Sequence, residues 1–211
     1  AVPAWWPARR RWAIVGSDEM LRCRPWSTSA HATPAMNADE LRALQAPLKA
    51  RYREQPEAAV FTVRAEGKLG EGIVCKLGTP RGDVTAGLHP VAGGTGLEAC
   101  SGDMLMEALV ACAGVTMKAV ATSLGISLRD ATVHAEGDID SRGTLGIAKD
   151  APVGFRHIRL RFDLDTDASD EQVATLVKLT ERYCVIFQTL AQPPSLSASH
   201  RRSVAAGQGA A

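Results

Sequence analysis

The feature that most constrains the fold is a long, almost uniformly apolar segment in the middle of the chain. Residues 102–124 read GDMLMEALVACAGVTMKAVATSL, and Gly125 follows. Ser101 is a good N-cap, Asp103 suits the first turn of a helix, and Gly125 is a typical C-terminal stop. A helix that is apolar almost all round lies buried at the centre of a protein. The rest of the chain must therefore supply cover for this predicted helix.

Alternating segments on both sides of this helix predict strands that supply the cover. Before it, VFTVRAEG and GIVCKLG between 60 and 77 alternate around a turn that contains glycine, which predicts a β-hairpin. After it, residues 130–140 and 155–165 alternate again, and a capping signature at Ser169 opens a second long helix at 169–190. Strands and helices in separate blocks predict an α+β fold. The surplus of apolar helix surface predicts a homodimer.

The two ends of the chain differ in composition from the middle. Residues 1–35 hold five arginines and hardly any acid, and they lack the apolar core of a secretory signal. We expect them to be a disordered or non-native N-terminal extension. A helical arm at 36–58 and one domain at 59–200 follow, with a short last strand at 195–200. We expect residues 201–211 to be a disordered tail.

The balance of charge and the spacing of polar residues exclude several functions. Lys and Arg together number 24 and Asp and Glu 23, so a net charge of +1 gives no electrostatic footprint for nucleic acid or an anionic membrane. We also expect no membrane span, because no apolar run reaches the required length. Glycines at 93–96 lack the frame of a phosphate-binding loop, and the five histidines stand singly. The sequence therefore predicts neither a cofactor nor a metal.

Cysteines carry the reactive chemistry that this chain offers. They are Cys23, Cys75, Cys100, Cys112 and Cys184. Their odd number, their wide spacing and the absence of CxxC argue against a zinc ribbon, a thioredoxin motif and a secreted disulfide framework, so we expect a cytoplasmic protein. Most buried cysteines are simply small core residues. Cys112 and Cys184 stand out because each lies on one of the two most apolar helices, and thiols at a helix crossing can meet disulfide geometry.

The segments around these two cysteines form a specific pair. They read SGDMLMEALVACAGVTMKAVA around Cys112 and, about seventy residues later, ERYCVIFQTL around Cys184. Together they resemble the OsmC/Ohr family of osmotically inducible and organic-hydroperoxide-resistance proteins, in particular its broader OsmC-like branch, over roughly residues 60–200. The resemblance implies two long central helices packed against antiparallel β-sheets. It also implies an intertwined homodimer with active sites at the subunit interface.

The resemblance further implies a thiol peroxidase. Cys112 would match the peroxidatic cysteine, which attacks an organic hydroperoxide and becomes a sulfenic acid. Cys184 would match the resolving cysteine, which closes a disulfide, and a lipoyl-type dithiol would then reduce that disulfide. The alternative is a non-enzymatic OsmC-like protein that senses redox state or binds a small hydrophobic ligand.

The family also pairs its reactive cysteine with an arginine, which stabilises the thiolate, and with a carboxylate, which orients the arginine. The Ohr branch has Asn-Pro-Glu ten residues before its cysteine, where this chain has Cys-Ser-Gly at 100–102. Asp103 is therefore the expected carboxylate, with Glu107 as the alternative. The expected arginine is Arg64 from the first hairpin, with Arg81 from the following loop as the alternative.

Overall fold

The computed structural model describes residues 36–80 and 82–202. The expected N-terminal extension, the candidate Arg81 and residues 203–211 of the expected tail lie outside the described residues. The helices are α1 (Ala38–Glu54), α2 (Ser101–Leu124), α3 (Ser141–Thr144), α4 (Asp170–Tyr183) and α5 (Val185–Ala191). The strands are β1 (Glu66–Leu69), β2 (Val74–Thr79), β3 (Gly82–Gly87), β4 (Ala99–Cys100), β5 (Asp130–Ile139) and β6 (Phe155–Asp165). Short 3-10 turns lie at Pro56–Ala59 and Pro90–Ala92.

The strands form two separate sheets. In the first, β1, β2 and β3 pair in antiparallel order, and the two-residue β4 joins β3 in parallel. The second sheet is an antiparallel ribbon of β5 and β6. The predicted α+β class, with helices packed beside antiparallel strands, is therefore confirmed.

The arm helix α1 begins at a well-formed N-terminal cap. The Asn37 side chain accepts hydrogen bonds from the backbone N–H groups of Asp39 at 2.9 Å and Glu40 at 3.0 Å. The Glu40 carboxylate accepts the Asn37 N–H in return at 2.9 Å, which completes a capping box. No residue of α1 is buried.

The first predicted strand begins later than the sequence pattern suggests. β1 starts at Glu66, so residues 60–65 belong to no strand. Val60, Phe61 and Val63 are exposed by 81%, 83% and 82%. An alternating pattern forms a strand only where it finds a partner strand and a surface to cover, and the described chain gives this segment neither. The segment is thus left as an apolar, uncovered stretch of chain.

The central helix α2 buries one stripe of its surface. Its buried residues are spaced four apart along the helix: Leu109, Ala113, Met117 and Ala121. They form two small clusters, one with Cys184 and the other with Leu176. The helix begins one residue earlier than expected, because Cys100 and not Ser101 is the N-cap, and the Cys100 side chain makes no capping hydrogen bond.

The opposite stripe of α2 is open. Ala108 and Ala111 are exposed, and Val115 is exposed by 73%. By length and composition α2 could cross a membrane, which corrects the expectation that no apolar run reaches that length. The core helix of a soluble protein passes the same test, and the buried stripe of α2 packs within this domain.

The ribbon of β5 and β6 covers a further side of α2. Val133 and Ala135 of β5 and Leu160 of β6 pack against the cluster around Leu109. The pairing shifts register at Asp138 and Ile139, which leaves one extra residue in β6. The shift lets both Phe155 and Ile158 face inward, as the sequence pattern predicted, although they stand three positions apart and regular alternation would put them on opposite faces.

The second long helix is interrupted, contrary to the expectation of one helix over 169–190. α4 ends at Tyr183 and α5 starts at Val185, with Cys184 between them. Residues 192–200 are exposed and belong to no element, so the predicted strand at 195–200 is wrong.

Candidate redox site

Cys112 stands at the border between the two stripes of α2. It precedes the buried Ala113 and follows the buried Leu109 by three residues. Val115, three residues further on, is on the exposed side. Residues three or four apart share a helix face, so the Cys112 thiol touches the core and remains partly accessible.

Cys184 occupies the interruption between α4 and α5. Its backbone is extended, with φ −73° and ψ 109°, and its N–H still donates to the Thr180 carbonyl at 2.9 Å. Its sulfur accepts the Phe187 N–H at 3.5 Å, so the thiol acts as the N-cap of α5. The residue is 0% exposed. The interruption therefore places the sulfur inside the core, facing α2.

One side-chain hydrogen bond spans this interruption, and a second lies within α4 just before it. The Gln188 side-chain amide donates to the Glu181 carbonyl at 2.8 Å, joining α5 back to the last turn of α4. The fully buried Thr180 hydroxyl donates to the Leu176 carbonyl, also at 2.8 Å. The Gln188 amide thereby satisfies the Glu181 carbonyl, which the end of α4 would leave without a partner.

The structure brings Cys112 and Cys184 together, because Cys112 packs against the buried cluster that contains Cys184 and each thiol affects the pKa of the other. Both thiols are free. Partial burial acts to raise the pKa of Cys112. Hydrogen bonds from the Ile186 backbone, the Cys184 thiol, the Val185 backbone and the Thr116 hydroxyl outweigh it and hold the pKa below the ordinary thiol value. None of these groups carries a positive charge.

The pKa of the Cys184 thiol shifts in the opposite direction. Burial raises its pKa, and the neighbouring Cys112 raises it further, because a second negative charge beside a thiolate is unfavourable. The backbone N–H groups of Phe187 and Ile186 offset only part of this rise. The pair is therefore polarised: Cys112 is the thiol that ionises first, and Cys184 keeps its proton and donates it.

The other sequence candidates lie away from this pair. Asp103 is exposed in the first turn of α2, and nine residues of helix place it roughly 13 Å along the axis from Cys112. Glu107 is also exposed, one turn closer. Arg64 is exposed in the uncovered segment 60–65, and no guanidinium is among the groups that most affect the pKa of Cys112. Within one chain, the structure does not join the expected arginine and carboxylates to the thiol.

A cavity of about 930 Å³ lies beside the N-terminal half of α2. Apolar side chains make up much of its wall, including Leu105, Met106 and Phe155, and Asp103 and Glu107 also line it. Neither Lys nor Arg is found in the described part of its lining, and neither of the paired thiols lines it. Glu136 also lines the cavity and is paired with Arg159 at 2.8 Å, whereas Asp103 and Glu107 form no ion pair among the described residues.

Sequence reasoning missed the groups that lower the pKa of Cys112. They come from the interruption at Cys184 and from Thr116, which lies one helical turn after Cys112. A weak signal was present, because Tyr-Cys-Val-Ile at 183–186 contains only residues of modest helix propensity. In the described ranges, no three His, Cys, Asp or Glu side chains lie close enough together to hold a metal ion. The chemistry of this site is thus carried by the thiol pair.

The described domain thus combines an α+β fold with two neighbouring thiols where α2 meets the junction of α4 and α5. Residues 94–199 match the family described as OsmC-like protein. The chain belongs to the OsmC/Ohr family. Among curated proteins, no sequence matches it.

Solved structures of this family share the fold at low sequence identity. An OsmC-like protein from Mycoplasma pneumoniae is 16% identical, with a TM-score of 0.54 over 63% of this chain and 89% of that one. An organic hydroperoxide resistance protein from Elizabethkingia anophelis is 15% identical, with a TM-score of 0.53 over 64% and 91%. One from Legionella pneumophila, also described as a predicted redox protein, is 18% identical, with a TM-score of 0.51 over 64% and 92%. At these identities, the similarity establishes the fold alone.

Proposed function

We propose that this protein is a cysteine-based peroxidase that reduces organic hydroperoxides. The observation that carries the proposal is the contact between a Cys112 thiol of lowered pKa and the buried Cys184 thiol. A peroxidatic cysteine must ionise readily and must have a second thiol within reach. Membership of the OsmC/Ohr family supports a redox role of this kind, and two similar structures are named organic hydroperoxide resistance proteins.

The proposed cycle uses both thiols. The Cys112 thiolate attacks the terminal oxygen of the hydroperoxide, the O–O bond breaks, and the alkoxide leaves as the alcohol after taking a proton. Cys112 is now a sulfenic acid. The Cys184 sulfur attacks the Cys112 sulfur, loses its proton, and releases water as the disulfide forms. A lipoyl-type dithiol then reduces this disulfide by thiol–disulfide exchange and becomes oxidised itself.

We further propose an intertwined homodimer in which a second copy completes the site. The open stripe of α2 around Val115 and the exposed Phe61 offer apolar surfaces that a second copy would cover. Arg64 lies in the same exposed segment as Phe61, and the cavity lining includes Asp103 and Glu107, which form no ion pair among the described residues. Opposite charges and matching apolar surfaces favour docking of segment 60–65 from one copy at the cavity of the other.

In this arrangement Arg64 and Asp103 are the expected arginine and carboxylate of the site. Glu107 is the alternative carboxylate, and Arg81, outside the described residues, is the alternative arginine. We place the protein in the cytoplasm, where a reducing thiol pool keeps cysteines such as these reduced between cycles.

Turnover with cumene hydroperoxide and reduced lipoamide tests the proposed activity. Cys112→Ser is expected to lower kcat/KM on the order of 1,000-fold or more, because no other group replaces the attacking sulfur. Cys184→Ser is expected to consume about one equivalent of peroxide and then stop, leaving a sulfenic acid that dimedone traps. Cys75→Ser, at another partly buried thiol, is the matched control. Loss of activity in all three variants, or in none, would contradict the proposal.

The cavity favours a second candidate, an OsmC-like protein that binds a small hydrophobic ligand without catalysis. Its volume of about 930 Å³ suits a ligand of ordinary drug size. A neutral fluorescent probe such as Nile red tests this function, with Val110→Trp as the variant that fills the cavity. Saturable binding that Val110→Trp abolishes, in a protein that leaves cumene hydroperoxide unchanged, would favour this candidate over the peroxidase.

A further inference from the structure

The break between α4 and α5 is one residue long, and a side chain of α5 spans it. Cys184 alone lies between Tyr183 and Val185, with an extended backbone at φ −73° and ψ 109°. The Gln188 amide in α5 donates to the Glu181 carbonyl in α4 at 2.8 Å, across seven residues of chain. The two helices are therefore tied together across the residue that carries the buried sulfur.

We propose that Gln188 is a positioning residue for Cys184: its amide holds α4 and α5 in the interrupted arrangement, so that the Cys184 sulfur faces Cys112 when the disulfide forms. The inference rests on the proposed disulfide step. It gives α5 a task that neither thiol can perform, which is to fix the direction in which the Cys184 side chain points.

The hydrogen bond from Gln188 can form only while the two helices are interrupted. In one continuous helix, seven residues would separate Gln188 and Glu181 by about 10.5 Å along the axis, which is beyond the reach of a glutamine side chain. The Glu181 carbonyl would then accept the backbone N–H of Val185, four residues further on. In the interrupted arrangement it accepts the Gln188 amide instead. The hydrogen bond therefore stabilises this arrangement relative to the continuous helix that the sequence repeat alone favours.

The packing of α5 explains why its direction matters for the thiol pair. Cys112 packs against the buried cluster that contains Cys184. Three apolar side chains of α5 pack against the same cluster: Ile186, Phe187 and Leu190. A disulfide needs its two Cα atoms within about 7 Å and a narrow range of dihedral angles. A backbone free to turn at Cys184 would lose that alignment for part of the time, so the tie raises the fraction of molecules in which the two sulfurs can react.

Exchange with glutathione disulfide tests the inference on the reduced full-length protein without any hydroperoxide. In the first step the Cys112 thiolate displaces one glutathione and becomes a mixed disulfide. In the second step the Cys184 sulfur loses its proton, attacks the Cys112 sulfur and displaces the other glutathione. The two protein thiols are thereby oxidised to a disulfide, and glutathione disulfide is reduced to two glutathiones. Peptide mass spectrometry of acid-quenched samples follows the two steps separately.

The decisive variant is Gln188→Met, which keeps the length of the side chain and removes the amide donor. We expect it to slow the second step about three- to tenfold, which is the effect of losing one hydrogen bond, and to leave the first step within about twofold of wild type. Gln188→Glu, whose ionised carboxylate cannot donate, is expected to slow the second step at least as much. A residue that only stabilised the fold would not separate the two steps in this way.

A matched control removes a similar hydrogen bond at the other end of α4. The Gln172 side chain accepts the Ser169 N–H at 2.9 Å, and Gln172→Met is expected to leave both steps unchanged. A wild-type second step in Gln188→Met, or an equal slowing in Gln172→Met, would overturn the inference. Should Gln188→Met fail to fold, Gln188→Glu makes the same comparison.

The assay also separates this inference from the proposed peroxidase. A wild-type protein that forms the disulfide with glutathione disulfide but leaves cumene hydroperoxide unchanged would contradict the peroxidase alone. A wild-type protein in which no disulfide joins Cys112 and Cys184 would overturn the inference together with the disulfide step.

Discussion

The two faces of α2 differ in how much of each is covered by other residues of the same chain. One face is closed by residues from α4, α5 and the ribbon of β5 and β6, and its four most buried residues are less than 3% exposed. The other face carries Ala108, Ala111 and Val115 in the open. Cys112 lies on the line between them. The comparison teaches that a single chain builds the thiol pair, whereas access to that pair depends on whatever covers the open face.

The largest expected effect tests the closed face. Leu176 of α4 is 0% exposed and packs against Met117 and Ala121 of α2. Leu176→Ala is expected to lower the free energy of unfolding by about 3 kcal/mol, within the range of roughly 2–5 kcal/mol for such truncations in a packed core. Urea denaturation of the reduced protein measures it.

The exposed Lys178, two residues away on the same helix, provides the control variant Lys178→Ala. It is expected to change the free energy of unfolding by less than about 0.5 kcal/mol. A similarly small loss for Leu176→Ala would mean that the face described as closed is loosely packed in solution.

The next effect tests the open face. Val115→Glu places a charge where a second copy is proposed to pack, and Val115 is exposed enough for the single chain to tolerate it. We expect the dimer dissociation constant to rise about tenfold or more, because the charge loses its water on association. Sedimentation velocity over a dilution series measures the constant. Lys118→Glu on the same helix is the control, and an unchanged constant in Val115→Glu would place the interface elsewhere.

A smaller effect concerns the reactivity of the two thiols, Cys112 and Cys184, at the boundary between the closed and the open face of α2. The pKa of Cys112 is lowered and that of Cys184 is raised, so iodoacetamide is expected to label Cys112 first as pH increases, with a rate advantage on the order of tenfold or more near neutral pH. Peptide mass spectrometry resolves the two sites. Faster labelling of Cys184 would reverse the proposed roles.

The two pKa shifts make the free energy of unfolding depend on pH in opposite directions. A lowered pKa means that folded Cys112 holds fewer protons than unfolded Cys112 between the folded and the unfolded pKa, so its contribution to stability grows as pH rises through that window. The contribution is lost as pH falls through the folded pKa. For Cys184, whose pKa is raised, the contribution is present below the unfolded pKa and is lost as pH rises through the folded one.

The helix and strands that form the closed face could largely be predicted from the sequence, because hydrophobic periodicity indicates them. The apolar repeat gave the bounds of α2 to within one residue, and alternation gave β5 and β6 nearly to the residue. Such patterns record which side of an element is buried. The N-cap position of Cys100 was not predicted, because Ser101 has the better capping side chain. The pairing of β4 with β3, which the sequence pattern does not show, decides where α2 begins.

The interruption at Cys184 and the placement of residues 60–65 could not be predicted in the same way. The helical repeat continues through Cys184 without a glycine or proline, and the break depends on tertiary contacts with α2. Segment 60–65 has the pattern of a strand, but its partner is absent from the described chain. The polar groups around Cys112 were missed for a related reason, because Val185 and Ile186 act through backbone N–H groups that carry no sequence signature.

The extra residue in β6 has a consequence that no side chain reveals. Arg156 has no partner opposite it, since Asp138 faces His157 and Ile139 faces Phe155. Phe155 packs so closely over Gly137 that a Cβ atom there would lie 2.4 Å from its ring. The register shift at this point, more than the chemistry of any residue, decides which way the ring turns. Removing Arg156 would leave Phe155 two positions from Ile158 on the same face of a regular ladder, so the ring would stay at the cavity. Closing the shift with Arg156 retained would instead turn Phe155 to the solvent side and open the cavity there, while every residue that lines it elsewhere stayed the same.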